Sequence, residues 1–536
     1  WELIKDVMDS SSEYSSEHRS RLPNPKWLVI TAIVLAIWAL AIGLWWSQLR
    51  RAAITAHRAP TREPAALERV TARPVVTPAL TPTGKAVPVI LPVAREAGQL
   101  VRKEDWPAMA QAFDEERALA DIAELTSTKY TGRAVGSPGG RLAAEWIAAR
   151  FAEYGLQPAG EGGTYFQEFP VPYAELTAMP SFQLVDRAAQ PLKEYRFRYD
   201  YTIWPGGYSD GGHVEGPVLW LSDGAHDDYD GINAEGAIIL CRFKLPLDET
   251  LRQALEHGAK AVLLARPEYN FRMRRTTRED ALLPQGIPTL LVGPQVIQDL
   301  LADSGMTLDD LTIQYESRPL ATRVRVDVPL QYQEQATGRN VLGVLPGSDT
   351  DGVNQLIIVG GHYDYLGADP DGTAWVGAND DASGVAVMLE LARQWREQGY
   401  VPKRTVLFAA WDGEEIGLYG SRYYVEHPCY PLTTTVGMLQ LDMVGAGTPN
   451  LFIDTGGLVA NQSMLSAAQL GIAVEEQSIG ASDHAPFVGA GVPATLYIWW
   501  DGKAPGVIYH VPEDNVDNIE QVKLRIAGQL TDLVLL

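Results

Sequence analysis

Polar clusters that combine imidazole and carboxylate follow a series of apolar runs. QLIIVGG leads into His362-Tyr363-Asp364, TVLFAAW into Glu414-Glu415, and VGMLQL into Asp442. VGANDDASG places Asp380 and Asp381 just before a helical pattern, and YHVPEDN adds Tyr509, His510 and Asp514 near the end of the chain. Taken singly, each cluster has a plain structural explanation. A histidine at a strand end is often a hydrogen-bonded structural residue, and paired aspartates before a helix often cap it, as Ser383 could here. Together they deliver acidic and imidazole groups to one edge of one expected sheet, which is costly to fold unless neutralised. Histidine nitrogen and carboxylate oxygen are donors that zinc accepts. Two metals about 3.5–4 Å apart need a shared ligand, and a carboxylate has two oxygens to share. Two histidines and three carboxylates against two divalent cations leave one positive charge, which a hydroxide neutralises. The adjacent glutamates then divide the work. One binds metal, and the other takes a proton from water without itself being bound. Asp364 is spaced to hold the His362 ring.

Alternation of strand and helix patterns from about residue 338 onward predicts an α/β fold with a mixed, largely parallel sheet flanked by helices. In such sheets, sites gather beyond the carboxyl ends of the strands. ERALADIAEL and GRLAAEWIAARFAEYG read as helices, the second stopping at Gly155. Between about 200 and 325 the runs VLWL, AIILCRF, AVLLA and TLLVG, with the helical LDETLRQALEHG among them, predict a compact β-rich insertion. His213, His226 and His257 are scattered through it without metal spacing.

The chain has 536 residues, which suggests two or more domains. WLVITAIVLAIWALAIGLWW, residues 27–46, has no charge and is long enough for a transmembrane helix of roughly 30 Å. Tryptophans stand at its ends, with Lys26, Arg50 and Arg51 beyond them. A cleaved signal peptide is the rival reading, but no small-residue cleavage site follows closely. The expected organisation is a tail at 1–26, the span at 27–46 and a linker rich in Pro and Ala at 47–104. Two parts of the main body follow, at 105–199 and 326–536, on either side of the 200–325 insertion. The expected localisation is a single-pass membrane protein with its body extracytoplasmic, or secreted if the segment is cleaved. The chain begins at Trp1, with Met8 as an alternative start. Residues 1–104 hold 14 Lys/Arg against 9 Asp/Glu, and the rest 30 against 58. The net charge of -23 argues against a nucleic-acid partner. Two cysteines, Cys241 and Cys429, make neither a disulfide framework nor a thiolate zinc site. Asn461-Gln462-Ser463 is a formal glycosylation sequon, and His427 reads as a surface residue.

HYDYLG, GANDDASG, FAAWDGEEIGLYGS, LDMVG, SDHAPF and YHVPEDN, in this order, closely resemble the co-catalytic zinc aminopeptidase family. That family takes in leucyl aminopeptidases, aminopeptidase Y and the glutamate carboxypeptidase II group. The resemblance runs from about residue 115 to the end. It implies two zinc ions, with His362 and Asp442 on one, Glu415 and His510 on the other, and Asp380 between them. Cobalt or manganese would suit the same donors. It implies Glu414 as general base acting on a water shared by the metals, and Tyr509 as a donor to the tetrahedral oxyanion. Asp381 resembles the residue after an unusual cis peptide. The insertion resembles a protease-associated (PA) domain, for which GLQPAG and GGTYFQEF look like the lead-in. Tyr365 stands where many members have histidine. Asp483 and His484 fall near the family's substrate side, where they either act or simply hold a loop. The implied activity is a zinc exopeptidase, an aminopeptidase acting on peptides. A carboxypeptidase, a one-zinc glutaminyl-cyclase-like enzyme and a catalytically silent receptor are alternatives on the same scaffold. The full ligand set and Glu414 favour catalysis.

Overall fold

The computed structural model describes residues 103–203, 209–244, 247–267, 286–302, 304–312, 316–348, 355–478, 482–500 and 508–536. The expected tail, the span at 27–46 and nearly all of the 47–104 linker lie outside the described residues. Among the described residues, no helix is long and apolar enough to cross a membrane.

Four apolar runs become neighbouring parallel strands. Leu356–His362 lies between Thr405–Trp411 and Thr435–Leu441, and Ala494–Ile498 continues beyond the latter. Antiparallel strands close both flanks, Leu330–Leu345 against Thr405–Trp411 and Leu451–Asp454 against Ala494–Ile498. The sheet is therefore mixed, and it is parallel in its centre rather than largely parallel throughout. The difference comes from Leu330–Leu345, which also pairs antiparallel with Phe166–Leu176 in a long ribbon that no helical crossover links.

Every residue of Thr405–Trp411 is buried, as a strand covered on both faces requires. Its side chains alternate between two cores. Val406, Phe408 and Ala410 join Ile147, Phe151, Val385 and Leu389. Leu407, Ala409 and Trp411 join Tyr424 and Phe487 on the other face. The helix Pro138–Glu153 begins with Ser137 Oγ accepting the Gly140 amide at 3.0 Å and Pro138 in the first turn. Gly155, with φ of +77°, follows its end as expected. The helix Ser383–Gln398 stops at Gly399 in the left-handed region.

The insertion carries its own sheet. Gly212–Trp220, Ile238–Arg242, Ala261–Ala265 and Thr289–Val292 are parallel neighbours, with Arg318–Val328 antiparallel to the first and Tyr201–Ile203 to the last. Ser181–Val185 and Pro191–Tyr195 extend this sheet past Arg318–Val328. It thus reaches beyond the expected 200–325. Pro191–Tyr195 escaped notice because four of its five residues are exposed, so it carries no apolar run. The Phe166–Leu176 and Leu330–Leu345 ribbon brings the chain into this module and back.

Candidate metal centre

The carboxyl ends of the central parallel strands bring the five predicted ligands together. His362 ends its strand, Asp442 follows Leu441 directly, and Glu415 lies just beyond Trp411. Asp380 comes from the turn before the helix Ser383–Gln398, and His510 from the C-terminal segment. All five side chains are buried.

Their geometry forms two poles that share one carboxylate. His362 Nε2 lies 3.2 Å from Asp380 Oδ1 and 3.7 Å from Asp442 Oδ1. His510 Nε2 lies 3.5 Å from Asp380 Oδ2 and 3.1 Å from Glu415 Oε2. Asp380 therefore turns one oxygen to each histidine. Despite those short approaches, His510 Nε2 makes no hydrogen bond. Its neighbours crowd it without aligning on it, which is how donors converge on a shared cation. The donor set and its shape fit two N/O-liganded divalent ions.

Asp381 also comes within ligand range of His362 and Asp442. Its oxygens, however, accept the amides of His362 at 3.1 Å, Gly384 at 2.8 Å and Met443 at 3.2 Å. Asp381 is thus occupied in tying three chain segments together, and Asp380 is the better bridge. The peptide between the two is cis. Ser383 does not cap the helix but is its first residue. Its hydroxyl instead donates to Asn379 O and accepts the Val444 amide. Met443 and His510 hold left-handed backbone angles, φ of +53° and +56°, an uncommon state for residues with a side chain.

The electrostatics follow from packing acids away from water. Burial would raise Asp380, but the imidazoles of His362 and His510, facing its two oxygens, hold it well below the usual carboxylate range. Burial would lower His510, but Glu415 and Asp380 lift it to about 10. Burial lifts Glu415 to about 7 against the pull of His510. Glu414 is half-buried and is pushed well up by desolvation, with Glu415, Asp442 and Asp483 adding to the rise and His362 opposing it. A carboxyl so placed has the raised basicity that a proton acceptor needs. Tyr509 stacks on His510 at 3.7 Å and makes a tilted contact with Trp500 at 4.8 Å, between ring centroids. Burial and the charges of Asp380, Glu415 and Glu414 keep its hydroxyl protonated.

A second layer of residues orients the first. Asp364 accepts the amides of Glu414 at 3.1 Å and Glu415 at 3.3 Å, fixing the glutamate pair. His362 Nδ1 meets the Asp364 backbone carbonyl at 3.3 Å, closer than the carboxylate at 3.7 Å. Asp364 thus does more for the glutamates than for the ring. Asp514 accepts the amides of Asn379 at 2.8 Å and Asp380 at 3.1 Å, and Ser482 Oγ donates to Asp442 Oδ2 at 2.7 Å.

Arg133 is fully buried, with φ of +51°. Its guanidinium donates to the carbonyls of Tyr363 at 2.6 Å, Leu125 at 2.9 Å, Val376 at 2.5 Å and Gly377 at 2.9 Å. It pins the segments that carry His362 and Asp380. Sequence reasoning missed Ser482 and Arg133 altogether. Ser482 stands beside the noted Asp483 and His484, whereas Arg133 gives no signal, because its partners are all carbonyls.

Other noted residues serve local structure. Asp483 accepts from Ser421 Oγ and from Gln440 Nε2, and His484 Nε2 meets Asp454 Oδ2 at 2.8 Å, so both hold their loop. His427 is exposed and stacks on Tyr423. His257 stacks on Tyr229, His226 faces Gln253, and His213 is exposed near Asp327. Both cysteines are free.

The chain is similar to known peptidases in sequence and in fold. Residues 340–534 match the model of peptidase family M28. Aminopeptidase YwaD of Bacillus subtilis is 29% identical over 314 residues, covering 56% of this chain and 61% of that protein. Leupeptin-inactivating enzyme 1 of Streptomyces exfoliatus is 35% identical over 162 residues, 30% of this chain and 35% of that protein. The chain therefore spans less than two thirds of the length of either. Among solved structures, a zinc aminopeptidase from Bacillus subtilis superposes with a TM-score of 0.60 at 23% identity, covering 79% of this chain and 95% of that one. An aminopeptidase from Aneurinibacillus sp. strain AM-1 gives 0.58 at 24%, covering 80% and 95%. At these identities the superpositions establish a shared fold.

Proposed function

We propose that the protein, whose residues 340–534 match the model of peptidase family M28, is a zinc-dependent exopeptidase, an aminopeptidase that removes N-terminal residues from peptides. The observation that carries this reading is the two-faced Asp380, one oxygen toward His362 and the other toward His510. His362 and Asp442 would hold one zinc, and Glu415 and His510 the other. Bound there, the zinc pair would supply Lewis acidity to a peptide carbonyl and lower the pKa of water. Glu414, held by Asp364 at its amide and raised by burial, accepts the proton of the attacking water and passes it to the leaving amine. Tyr509, kept protonated against His510, has a hydrogen to donate to developing negative charge on the carbonyl oxygen. The amino-terminal direction follows the relative named aminopeptidase.

The module at 200–325 and the ribbon leading into it are proposed as a PA-like domain, and residues 27–46 as a membrane anchor that leaves the body extracytoplasmic. Resistance of the full chain to alkaline carbonate extraction would support the anchor, and its release would count against it.

The test of activity combines metal content with substrate ends. The purified protein should carry two zinc equivalents and hydrolyse Leu-Gly-Gly. N-acetylation should abolish turnover, while C-terminal amidation should not. Glu414→Gln should keep both metals and lose about 10²–10⁴ of turnover. A fully active E414Q enzyme would remove the base assignment, and cleavage that depends on a free carboxyl terminus would reverse the direction.

A further inference from the structure

Between His362 and Asp380 the chain leaves the central sheet as a small hairpin, in which Gly367–Ala368 pairs antiparallel with Ala374–Trp375. Its turn is closed by the Asp369 amide donating to Thr373 O at 2.8 Å and the Gly372 amide donating to Asp369 O at 3.0 Å. The main body holds the base of this hairpin. Arg133 donates to the carbonyls of Tyr363, Val376 and Gly377. Gly132 packs so closely that a Cβ there would stand 2.3 Å from Trp375 O and 2.4 Å from Gly367 O.

The inserted module holds the other end. Arg198 lies between the module strands Pro191–Tyr195 and Tyr201–Ile203. Its Nε donates to Asp369 Oδ2 at 3.0 Å and its Nη2 to Asp369 Oδ1 at 2.8 Å, a two-pronged contact that fixes orientation as well as distance. Its Nη1 donates to Thr202 Oγ1 at 3.2 Å, which ties the guanidinium to the module. The same group lies 4.4 Å from the ring centre of Phe197, in the module, and 4.9 Å from that of Trp375, in the hairpin. The two charged side chains are only 6% and 2% exposed. A buried ion pair adds little net stability, because desolvation offsets the attraction. Arg198 also holds a left-handed backbone, φ of +68°, which a residue with a side chain keeps only where its surroundings impose it. Such a pair on such a backbone does more for geometry than for stability. It holds the hairpin in one orientation.

We propose that Arg198 is a positioning residue for the metal centre, and that through it the inserted module is part of the scaffold of the zinc site. Arg133 at the base and Arg198 at the far end fix the hairpin from both sides, and with it the spacing of His362 and Asp380. The proposal rests on the zinc-centre reading. Coupling of this kind is reciprocal, so zinc must tighten the Arg198 contact by as much as the contact tightens zinc.

The experiment uses the full chain. Removing one partner alone would strand a buried charge, so Arg198→Met and Asp369→Leu are combined. Zinc affinity, read by competition with a chromophoric chelator, should fall by about tenfold or more. In the wild type, zinc should slow hydrogen exchange across residues 196–202. In the double variant that slowing should be lost while the rest of the module sheet keeps its protection. Arg198→Lys keeps the charge but not the fork. It should weaken zinc by about fivefold, and it decides the matter if the double variant does not fold. Wild-type zinc affinity in a folded variant, or wild-type exchange at 196–202 that ignores zinc, would overturn the coupling and leave the centre intact. A wild-type protein that binds no zinc would overturn the zinc-centre reading and the proposal with it.

Discussion

The main body and the inserted module each set four parallel strands side by side, but their polar strand ends are neutralised in opposite ways. In the module, Asp223 follows the strand Gly212–Trp220 and is met from the next strand end by Arg242 at 2.6 Å and Lys244 at 3.3 Å. The acid there is matched by cations of the same chain. In the body, Asp364, Glu414, Glu415 and Asp442 crowd the corresponding ends, with Asp380 among them. Arg133 acts on Asp364, Asp381 and Asp514, but its fork is spent on carbonyls. Among the described residues, the imidazoles of His362 and His510 face the ligand carboxylates directly. One sheet edge closes its own charge balance, while the other is built to be completed from outside. The parallel sheet does not by itself make a site; what makes one is acids at strand ends that lack cations of their own.

The sharpest way to break this contrast is to remove the shared acid. Asp380→Asn keeps the shape of the side chain but leaves one neutral oxygen where two charged ones faced two histidines. Zinc titration against a chromophoric chelator should show fewer than two equivalents and binding weakened by more than about 100-fold. Retention of two tightly held ions would mean that Asp380 is not the bridge.

A smaller loss is expected one layer out. Asp514 accepts the amides of Asn379 and Asp380, and Asp514→Asn leaves only one good acceptor for two donors. Zinc affinity should fall by about 10–100-fold with the fold retained by circular dichroism. Wild-type affinity would show that the Asp380 turn holds itself.

The strands of the central sheet were legible because full burial on both faces writes continuous apolar runs such as TVLFAAW. The polar clusters were legible because most follow such a run or precede a helix, and the resemblance picked the five candidate ligands out of them. What sequence could not supply depends on pairing across long separations. Pro191–Tyr195 is an exposed edge strand and shows no pattern. The antiparallel flank arises because Leu330–Leu345 pairs back onto Phe166–Leu176, more than 150 positions away. Arg133 works through main-chain carbonyls, which any residue provides, so nothing in its neighbours marks its role. Asp364 was read as a ring partner, a natural inference from its spacing, but its carboxylate reaches the glutamate amides some fifty residues on.

The subtlest test uses pH, because the two sheet edges should respond with opposite sign. In the metal-free body, burial raises Asp514 and Asp483 to about 7, above the unfolded value of roughly 3.9. Groups raised on folding stabilise the fold below the unfolded value and lose that contribution as pH climbs through about 7. Asp223 behaves in reverse. Burial would raise it, but the hydrogen bond and charge of Arg242, with Lys244, bring it below its usual value. Its contribution is present above roughly pH 3.9 and is lost as pH falls through its lower folded value. Chelator-treated protein should therefore gain protection in the body, read by region-resolved hydrogen exchange, as pH drops from 7 toward 4, and zinc should abolish that gain. Asp223→Asn should destabilise the module by about 0–1 kcal/mol at pH 7, because a half-exposed pair is screened by solvent. The difference should shrink as pH falls below roughly 3.9 and vanish below the lowered folded value of Asp223, and zinc stoichiometry at pH 7 should match the wild type. If D223N altered zinc binding, or if the metal-free body weakened on mild acidification, the two edges would not be the separate charge systems described above.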